Sequence, residues 1–440
     1  MKPYSELTRE ELLALKASLK AEYAGYQERK LSLNMARGKP SQAQLNLSMG
    51  MMDVLNSDSD LTCEDGTDCR NYGGLDGIPE AKALLAGMVG CRPEQVIVGG
   101  NSSLTLMFDI LSHAMIDGLL GGTPWCQVPD RKFLCPVPGY DRHFAMTEHF
   151  GFELVPVPML PDGPDMNLVE RLVHEDASIK GIWCVPKYQN PTGVVFSHEV
   201  VKRFANLKPA AKDFRIFWDN AYCVHDLYPE EAEPLPDILS LCEQAGSPDL
   251  VYEFCSTSKA AFPGAGISGV AASAANLIEL RRVWKFATIG PDKLNQLRQA
   301  RFFRNTAGLK AHMARHADLL RPKFERVEAI LKEDLARSGA GSWTEPKGGY
   351  FISFNTLPGC ATRTVELCKK AGVKFTPAGA TWPCGRDPED RNIRLAPSYA
   401  SLEEIELAVR LFTICVRLAA LESLASMQVG SADMEGERIA

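Results

Sequence analysis

Short apolar segments alternate with amphipathic segments between residues 95 and 273, and glycine, proline or asparagine follows many of them. Apolar segments of this length are typical of buried β-strands, and the periodic segments between them are typical of helices. The predicted strands are 95–98, 132–140, 151–158, 180–186, 214–219, 250–255 and 270–273. Strands that alternate with helices predict an α/β fold with a mainly parallel sheet and helices on both of its faces.

The two ends of the chain show a different pattern, in which helices dominate and strands are few. We therefore expect a large domain at 49–309 and a smaller α+β domain formed by 1–48 and 310–426. A disordered tail is expected at 427–440. Helices are predicted at 5–34, 104–119, 237–244, 276–286, 292–304, 312–336, 362–371 and 401–425, and further strands at 348–354 and 373–375. The segment 391–396 follows without an assigned element.

Polar side chains follow the carboxyl ends of the predicted strands. In open α/β sheets, ligands bind at this edge, because the loops there converge. The residues in these positions are Asn101, Ser102, Tyr140, Asn190, Asp219 and Lys259. Their common placement predicts one shared binding site.

Lys259 stands in the turn Glu253-Phe-Cys-Ser-Thr-Ser-Lys259, after a predicted strand. Most lysines are solvated surface charges. Here Ser256 and Ser258 flank the lysine, and the following residues, 260–269, carry no charge. A lysine in such a pocket loses its proton easily and can form an imine with a carbonyl group.

The segment Gly99-Gly-Asn-Ser-Ser103 joins a strand to a helix. A helix N-terminus carries free N–H groups and partial positive charge, so it can bind phosphate. The hydroxyls of Ser102 and Ser103 add donors, and an ordinary helix cap explains the same residues equally well.

Composition excludes several classes of protein. The net charge of −7 over 440 residues argues against a nucleic-acid-binding protein. No apolar run approaches the ~18 residues of a membrane span, and the polar start is not typical of a signal peptide. Thirteen cysteines without a Cys-x-x-Cys pair indicate reduced thiols in a cytoplasmic protein. The acidic loop between Cys63 and Cys69 lacks calcium-loop spacing, so a solvated turn is favoured there and no metal is expected.

An imine-forming lysine beside a phosphate seat suggests pyridoxal 5'-phosphate (PLP) as cofactor. This group needs a carboxylate that keeps its ring nitrogen protonated, and Asp219 is placed to supply it. Tyr222 and Asn190 are suitable donors to the ring oxygen, and Tyr140 is a suitable stacking partner. Arg394 is a candidate for the substrate carboxylate, because a guanidinium pairs with it through two hydrogen bonds.

The chain resembles the class I, fold-type I PLP-dependent aminotransferases. The motifs that carry the resemblance occur in family order and are Asn71-Tyr-Gly-Gly-Leu-Asp-Gly-Ile-Pro-Glu80, Asn190-Pro-Thr-Gly193, Asp219-Asn-Ala-Tyr222, Ser256-Thr-Ser-Lys259 and Arg391-Asn-Ile-Arg394. Three further segments resemble the bacterial type Ic aspartate aminotransferases, also labelled MocR-like. They are Arg37-Gly-Lys-Pro40, Gly100-Asn-Ser-Ser103 and Lys187-Tyr-Gln-Asn-Pro-Thr-Gly193.

The resemblance implies a role for each site residue. Lys259 would bind the cofactor covalently and shuttle a proton, and Asp219, backed by His143, would bind the ring nitrogen. Gly38, Asn190 and Arg394 would bind the substrate. The full cofactor-binding set would be Asn101, Ser102, Ser103, Tyr140, Asn190, Asp219, Tyr222, Ser256, Ser258 and Lys259, with Tyr72 entering from the partner subunit of a homodimer.

One position departs from the family pattern. The family carries an arginine for the phosphate eight residues after the lysine, and this chain has Ile267 there. The phosphate must therefore be held differently, and no replacement cation is evident in the sequence.

Other functions compete with this interpretation. Gly264-Ala-Gly-Ile-Ser-Gly269 matches G-x-G-x-x-G, but no strand directly precedes it, which argues against a dinucleotide site. A non-catalytic PLP-binding regulator is a second alternative, and a β-lyase or decarboxylase is a third.

Substrate choice is open. Aspartate or glutamate with 2-oxoglutarate or oxaloacetate is the preferred prediction, and aromatic or other amino acids are the alternative. A second carboxylate needs a second cation, for which Arg37, Lys39 and Arg142 are candidates.

Overall fold

The computed structural model describes residues 3–232 and 234–436, and every structural statement below refers to these residues. The strands are β1 Leu33–Asn34, β2 Val96–Val98, β3 Lys132–Val137, β4 Glu153–Leu160, β5 Gly163–Pro164, β6 Ile179–Cys184, β7 Arg215–Asp219, β8 Val251–Ser256, β9 Ser268–Ala272, β10 Gly341–Trp343, β11 Ile352–Thr356, β12 Val373–Lys374 and β13 Asn392–Leu395. The α-helices are α1 Arg9–Glu28, α2 Gln42–Asn46, α3 Pro79–Val89, α4 Ser103–Asp117, α5 Asp141–His149, α6 Met166–Glu175, α7 His198–Ala205, α8 Ile238–Gln244, α9 Ala274–Trp284, α10 Lys293–Phe303, α11 Thr306–Leu335, α12 Ala361–Lys370 and α13 Leu402–Gly436.

The large sheet has the strand order β2-β9-β8-β7-β6-β3-β4-β5. The central strands from β8 to β4 are parallel, whereas β9 runs antiparallel to both of its neighbours and β5 antiparallel to β4. Buried apolar residues cover both faces of this sheet. The prediction of a mainly parallel α/β sheet is confirmed, and it places the ends of β7 and β8 side by side.

A second group of elements surrounds a separate apolar core. The three-stranded antiparallel sheet β10-β11-β13 and the parallel pair β1-β12 pack with α1, α12 and α13. Helix α11 joins the two cores, because Leu309 and Met313 belong to the core of the large sheet and Leu320 and Phe324 to the other. The domain boundary expected at 309/310 falls inside this continuous helix and stays a prediction.

The N-terminal helix is shorter than the predicted 5–34. Thr8 caps its first turn: Thr8 Oγ1 accepts a hydrogen bond from Glu11 N at 3.2 Å, and the Glu11 carboxylate accepts one from Thr8 N at 2.7 Å. The helix ends at Glu28, and Leu33–Asn34 pairs with β12 instead. The predicted bounds were wrong because the capping box fixes the start and strand pairing takes the end.

The C-terminal helix is longer than predicted. Helix α13 continues to Gly436, past the expected end at 425, and no proline interrupts this stretch. The disordered tail expected at 427–440 stays a prediction, and 437–440 lie outside the described residues. None of the described helices is long and apolar enough to span a membrane.

Candidate active site

A cavity of about 440 Å³ opens at the carboxyl edge of the large sheet. Residues from the strand ends, the α4 N-terminus and the second core line it together. The predicted site residues found there are Gly38, Asn101, Ser102, Ser103, Tyr140, Asn190, Asp219, Tyr222, Ser256, Ser258, Lys259 and Arg394. Tyr72 is the exception, since its side chain is 83% exposed and lies outside this cavity.

Lys259 lies in the tight turn after β8. The Nζ atom of Lys259 is 4.7 Å from the ring centroid of Tyr222. Burial lowers the pKa of Lys259, and the nearby Asp219 and Cys223 oppose this change. A lowered pKa increases the neutral fraction of the amine, which is the nucleophilic form.

Asp219 ends β7 and presents one free oxygen. Its Oδ2 lies 3.0 Å from His143 Nε2, and the His143 ring stacks on Trp183 at 4.3 Å. Asp219 Oδ1 is buried and has no hydrogen-bond partner among the described residues. Because a buried unpaired acceptor is costly, a ligand N–H at this position would satisfy it.

Arg394 reaches the cavity from β13. Its Nη1 atom donates to Asn190 Oδ1 at 3.2 Å and to Asp141 Oδ1 at 3.0 Å. The guanidinium lies 4.8 Å above the Phe351 ring, and Arg394 Nε is buried without a partner in the described part of the chain. The arginine is thus held rigidly and keeps free donor capacity.

Two loops meet at the opposite end of the cavity. Ser102 is the N-cap of α4, yet its side chain makes no capping hydrogen bond. Ser256 Oγ accepts from Ser258 N at 3.0 Å, and Ser258 Oγ donates to the Asn101 carbonyl. The turn that carries Lys259 is therefore tied to a helix N-terminus, an arrangement suited to a phosphate.

Ile267 occupies the position of the family's phosphate arginine and is 1% exposed, inside the apolar core. Its backbone N donates to Thr257 Oγ1 at 3.0 Å. Among the described residues that line the cavity, the basic side chains are Lys259, Arg142 and Arg394. Hydroxyls and backbone N–H groups at this end of the cavity are donors suited to a phosphate.

The glycine-rich stretch after Lys259 is a packing loop. It leads into strand β9, and no helix begins within it, so the sequence argument against a dinucleotide site is confirmed. A Cβ atom at Gly266 would lie 2.8 Å from Ser258 Cα. Glycine is required there because the loop presses against the turn that carries the lysine.

Sequence reasoning missed a buried polar network behind Lys259. Tyr350 Oη donates to the Lys259 carbonyl at 3.4 Å, and Gln44 Nε2 donates to Tyr350 Oη at 3.2 Å. Gln44 Nε2 also lies 3.2 Å from His316 Nδ1, and His316 Nε2 lies 3.1 Å from His312 Nε2. The one available signal was the spacing of the two histidines, which places both on the same face of α11.

These residues fit PLP. The group requires an acceptor for its protonated ring nitrogen, and the orphaned Asp219 Oδ1 supplies one. It also requires an amine, which Lys259 provides, and a phosphate seat, which the α4 N-terminus and its serines provide.

Comparisons with known proteins agree with this geometry. The family model described as aspartate amino-transferase matches residues 7–428. An aspartate aminotransferase of Corynebacterium glutamicum is 45% identical over 414 residues, which cover 93% of this chain and 94% of that protein.

Solved structures extend the comparison to the fold. The crystal structure of an aspartate transaminase from Corynebacterium glutamicum has a TM-score of 0.93 and 43% identity, and the match covers 96% of this chain and 99% of that one. The α-aminoadipate aminotransferase LysN of Thermus thermophilus, complexed with N-(5'-phosphopyridoxyl)-L-leucine, shares the fold, with a TM-score of 0.71 at 20% identity over 92% of this chain and 98% of that one. The chain therefore belongs to the aspartate aminotransferase family and is a PLP-dependent transaminase of fold type I.

Proposed function

We propose that the enzyme transfers the amino group of aspartate or glutamate to 2-oxoglutarate or oxaloacetate. The observation that carries this proposal is a pair of arginines on one cavity: Arg394 is buried and fixed, and Arg142 is exposed at the rim. Two cations suit a substrate with two carboxylates. The 45% identity to an aspartate aminotransferase also supports it.

Each site residue has a proposed task around the cofactor. When bound, PLP would supply the electron sink for the electrons released at the substrate Cα. Lys259 Nζ holds the cofactor and moves the proton at the substrate Cα, as its lowered pKa favours. Asp219 Oδ1 would accept from the ring nitrogen, and Tyr222 Oη would donate to the ring oxygen. These three form the catalytic set.

The remaining cofactor contacts follow from the cavity lining. Asn190 Oδ1 is occupied by Arg394, so its Nδ2 is available to donate to the ring oxygen. Tyr140 would stack on the ring face. The phosphate contacts are assigned to Asn101, Ser102, Ser103, Ser256 and Ser258.

The α-carboxylate is assigned to Arg394 and the backbone of Gly38. A Cβ atom at Gly38 would lie 2.1 Å from the Phe351 ring, the same ring that supports the Arg394 guanidinium. Glycine thus allows the loop to approach, and the unpartnered Arg394 Nε adds a free donor.

The distal carboxylate is assigned to Arg142. Of the three candidate cations, Arg142 lines the cavity, whereas Arg37 and Lys39 do not. Lys39 Nζ instead lies 4.2 Å above the Tyr399 ring, where it makes a cation–π contact.

Arg142→Met is expected to reduce kcat/KM for aspartate by about 10- to 100-fold, the effect of losing one charged hydrogen bond. With alanine as the amino donor, which lacks the distal carboxylate, kcat/KM of the same variant should fall by less than about threefold. Half-reaction rates over a panel of amino donors, with Arg37→Met as the matched control, measure this. The dicarboxylate proposal is wrong if wild-type enzyme reacts with aromatic or branched donors and ignores aspartate and glutamate.

We also propose a homodimer in which Tyr72 enters the site of the other subunit. Tyr72 is 83% exposed, and so is Phe286, while Ile289 is 64% exposed. Gly290 packs on Gly73, since a Cβ at Gly290 would lie 2.6 Å from the Gly73 carbonyl oxygen. Exposed apolar side chains grouped beside a site loop are typical of an interface between subunits.

Sedimentation is expected to show a dimer for the wild type and for Tyr72→Phe, which removes one hydroxyl and no apolar area. Phe286→Asp should shift the protein toward monomer, because it buries a charge in the interface. Tyr72→Phe should also weaken PLP retention. A wild-type monomer with full activity would contradict the shared site.

We further propose that the chain belongs to the type Ic, MocR-like subgroup, because it carries sequence segments that resemble that group. A cytoplasmic location is proposed from the thirteen cysteines, each of which is a free thiol. The alternative of a non-catalytic regulator predicts no amino-donor turnover, a β-lyase predicts release of ammonia without a 2-oxo acid acceptor, and a decarboxylase predicts release of CO2. The donor panel distinguishes all three.

A further inference from the structure

Asn220 and Glu253 form a buried polar pair directly behind the segment that carries Asp219 and Tyr222. Each of the pair is 2% exposed. Asn220 Nδ2 donates to Glu253 Oε1 at 3.0 Å, and Asn220 N donates to the Phe254 carbonyl at 2.8 Å. The pair therefore anchors the end of β7 to its neighbour β8 immediately after Asp219.

The pair leaves two oxygens without donors. Asn220 Oδ1 and Glu253 Oε2 are both buried and have no hydrogen-bond partner among the described residues. An ionised carboxylate would add a buried, unpaired charge beside a second unpaired acceptor, which is strongly unfavourable. One proton on Glu253 Oε2 resolves both deficits, because Oε2–H can then donate to Asn220 Oδ1.

The surroundings of Glu253 also favour the neutral acid. Burial raises its pKa to about 8; the hydrogen bond from Asn220 opposes this, and the charge of Asp237 on the α8 side adds to it. The other titratable groups that face Glu253 are the thiols of Cys91, Cys223 and Cys255. Glu253 has no ion pair within the described chain.

We propose that Glu253 is a positioning residue whose protonated carboxyl closes a ring of two hydrogen bonds with Asn220, and that this ring fixes the turn that places Asp219 and Tyr222 at the cofactor. Its role rests on the functions proposed above for those two residues. Ionisation of Glu253 breaks one of the two bonds and loosens the turn, so the enzyme holds PLP less tightly as the pH rises through about 8.

Two variants separate the hydrogen-bond ring from simple packing. In Glu253→Gln, Nε2 donates to Asn220 Oδ1 and Oε1 accepts from Nδ2, so the ring persists at every pH. In Glu253→Leu, the shape is similar and neither bond can form. Between pH 7 and pH 9.5, we expect the dissociation constant of PLP to rise severalfold more in the wild type than it does in Glu253→Gln. In Glu253→Leu, this constant should be higher than in the wild type at every pH.

Infrared spectroscopy of the protein without amino donor tests the protonation directly. The wild-type minus Glu253→Gln difference spectrum should contain the C=O band of a protonated carboxyl at pH 7, and this band should disappear as the pH rises through about 8. The wild type alone, titrated over the same range, serves if the variant does not fold. Carboxylate bands at pH 7, or equal pH dependence of PLP binding in wild type and Glu253→Gln, would overturn the inference. Neither readout depends on which amino acid is the substrate.

Discussion

Lys259→Ala is expected to abolish transamination, with a loss of at least about 10⁴-fold in kcat. Among the described residues lining the cavity, Lys259 is the one that carries an amine, so no neighbour can hold the cofactor or move the proton in its place. Its lowered pKa increases the neutral, nucleophilic fraction of the amine. Steady-state rates with aspartate and 2-oxoglutarate measure the loss.

The exposed Lys202 on α7 provides the control for Lys259. Lys202→Ala should retain wild-type turnover and, after borohydride reduction, should still carry the cofactor mass on the peptide that contains Lys259. Lys259→Ala should carry no such mass. Turnover within tenfold of wild type in Lys259→Ala would remove the basis of the proposed site.

Asp219→Asn is expected to lower kcat by about 10²- to 10⁴-fold, the effect of losing one preorganised electrostatic contact at the reacting group. The change keeps the shape of the side chain and removes the charge that is proposed to hold the ring nitrogen protonated. His143, stacked on Trp183, should stay in place, so the fold should be retained.

The exposed Asp130 offers a matched control, since Asp130→Asn removes the same charge far from the cavity. The two variants are compared by kcat and by the pH dependence of the cofactor's visible absorbance. If Asp219→Asn differs from Asp130→Asn by less than tenfold in kcat, the free Oδ1 does not serve the ring nitrogen.

Much of the site could be predicted from the sequence because its residues stand in local patterns. Asp219 and Lys259 each follow an apolar strand, and parallel pairing of β7 and β8 brings such ends together. The proposed assignment of the distal carboxylate to Arg142 rather than Arg37 could not be predicted, because it depends on the direction in which each side chain points.

Contacts between residues far apart in the chain were also beyond sequence reasoning. The Gln44–Tyr350 hydrogen bond joins residues 306 positions apart, and nothing in either local segment specifies the other. Glu253 looked like an ordinary strand residue, and only the structure shows that its partner is Asn220, across the β7–β8 pair. The termini of α1 and α13 were missed for a different reason: a cap and a continuing helix decide them locally, within the usual uncertainty at helix ends.

The pairing of Arg394 with Asp141 has a consequence for product release. Asp141 partly neutralises the guanidinium before any substrate arrives, so an α-carboxylate bound to Arg394, as proposed, would share the cation with an existing anion. The net charge of the guanidinium, the Asp141 carboxylate and the α-carboxylate would then be −1, which weakens the binding of any single carboxylate. A transaminase exchanges one acid for another at the same position in each cycle, and an arginine that never binds either at full strength lets the first leave before the second enters.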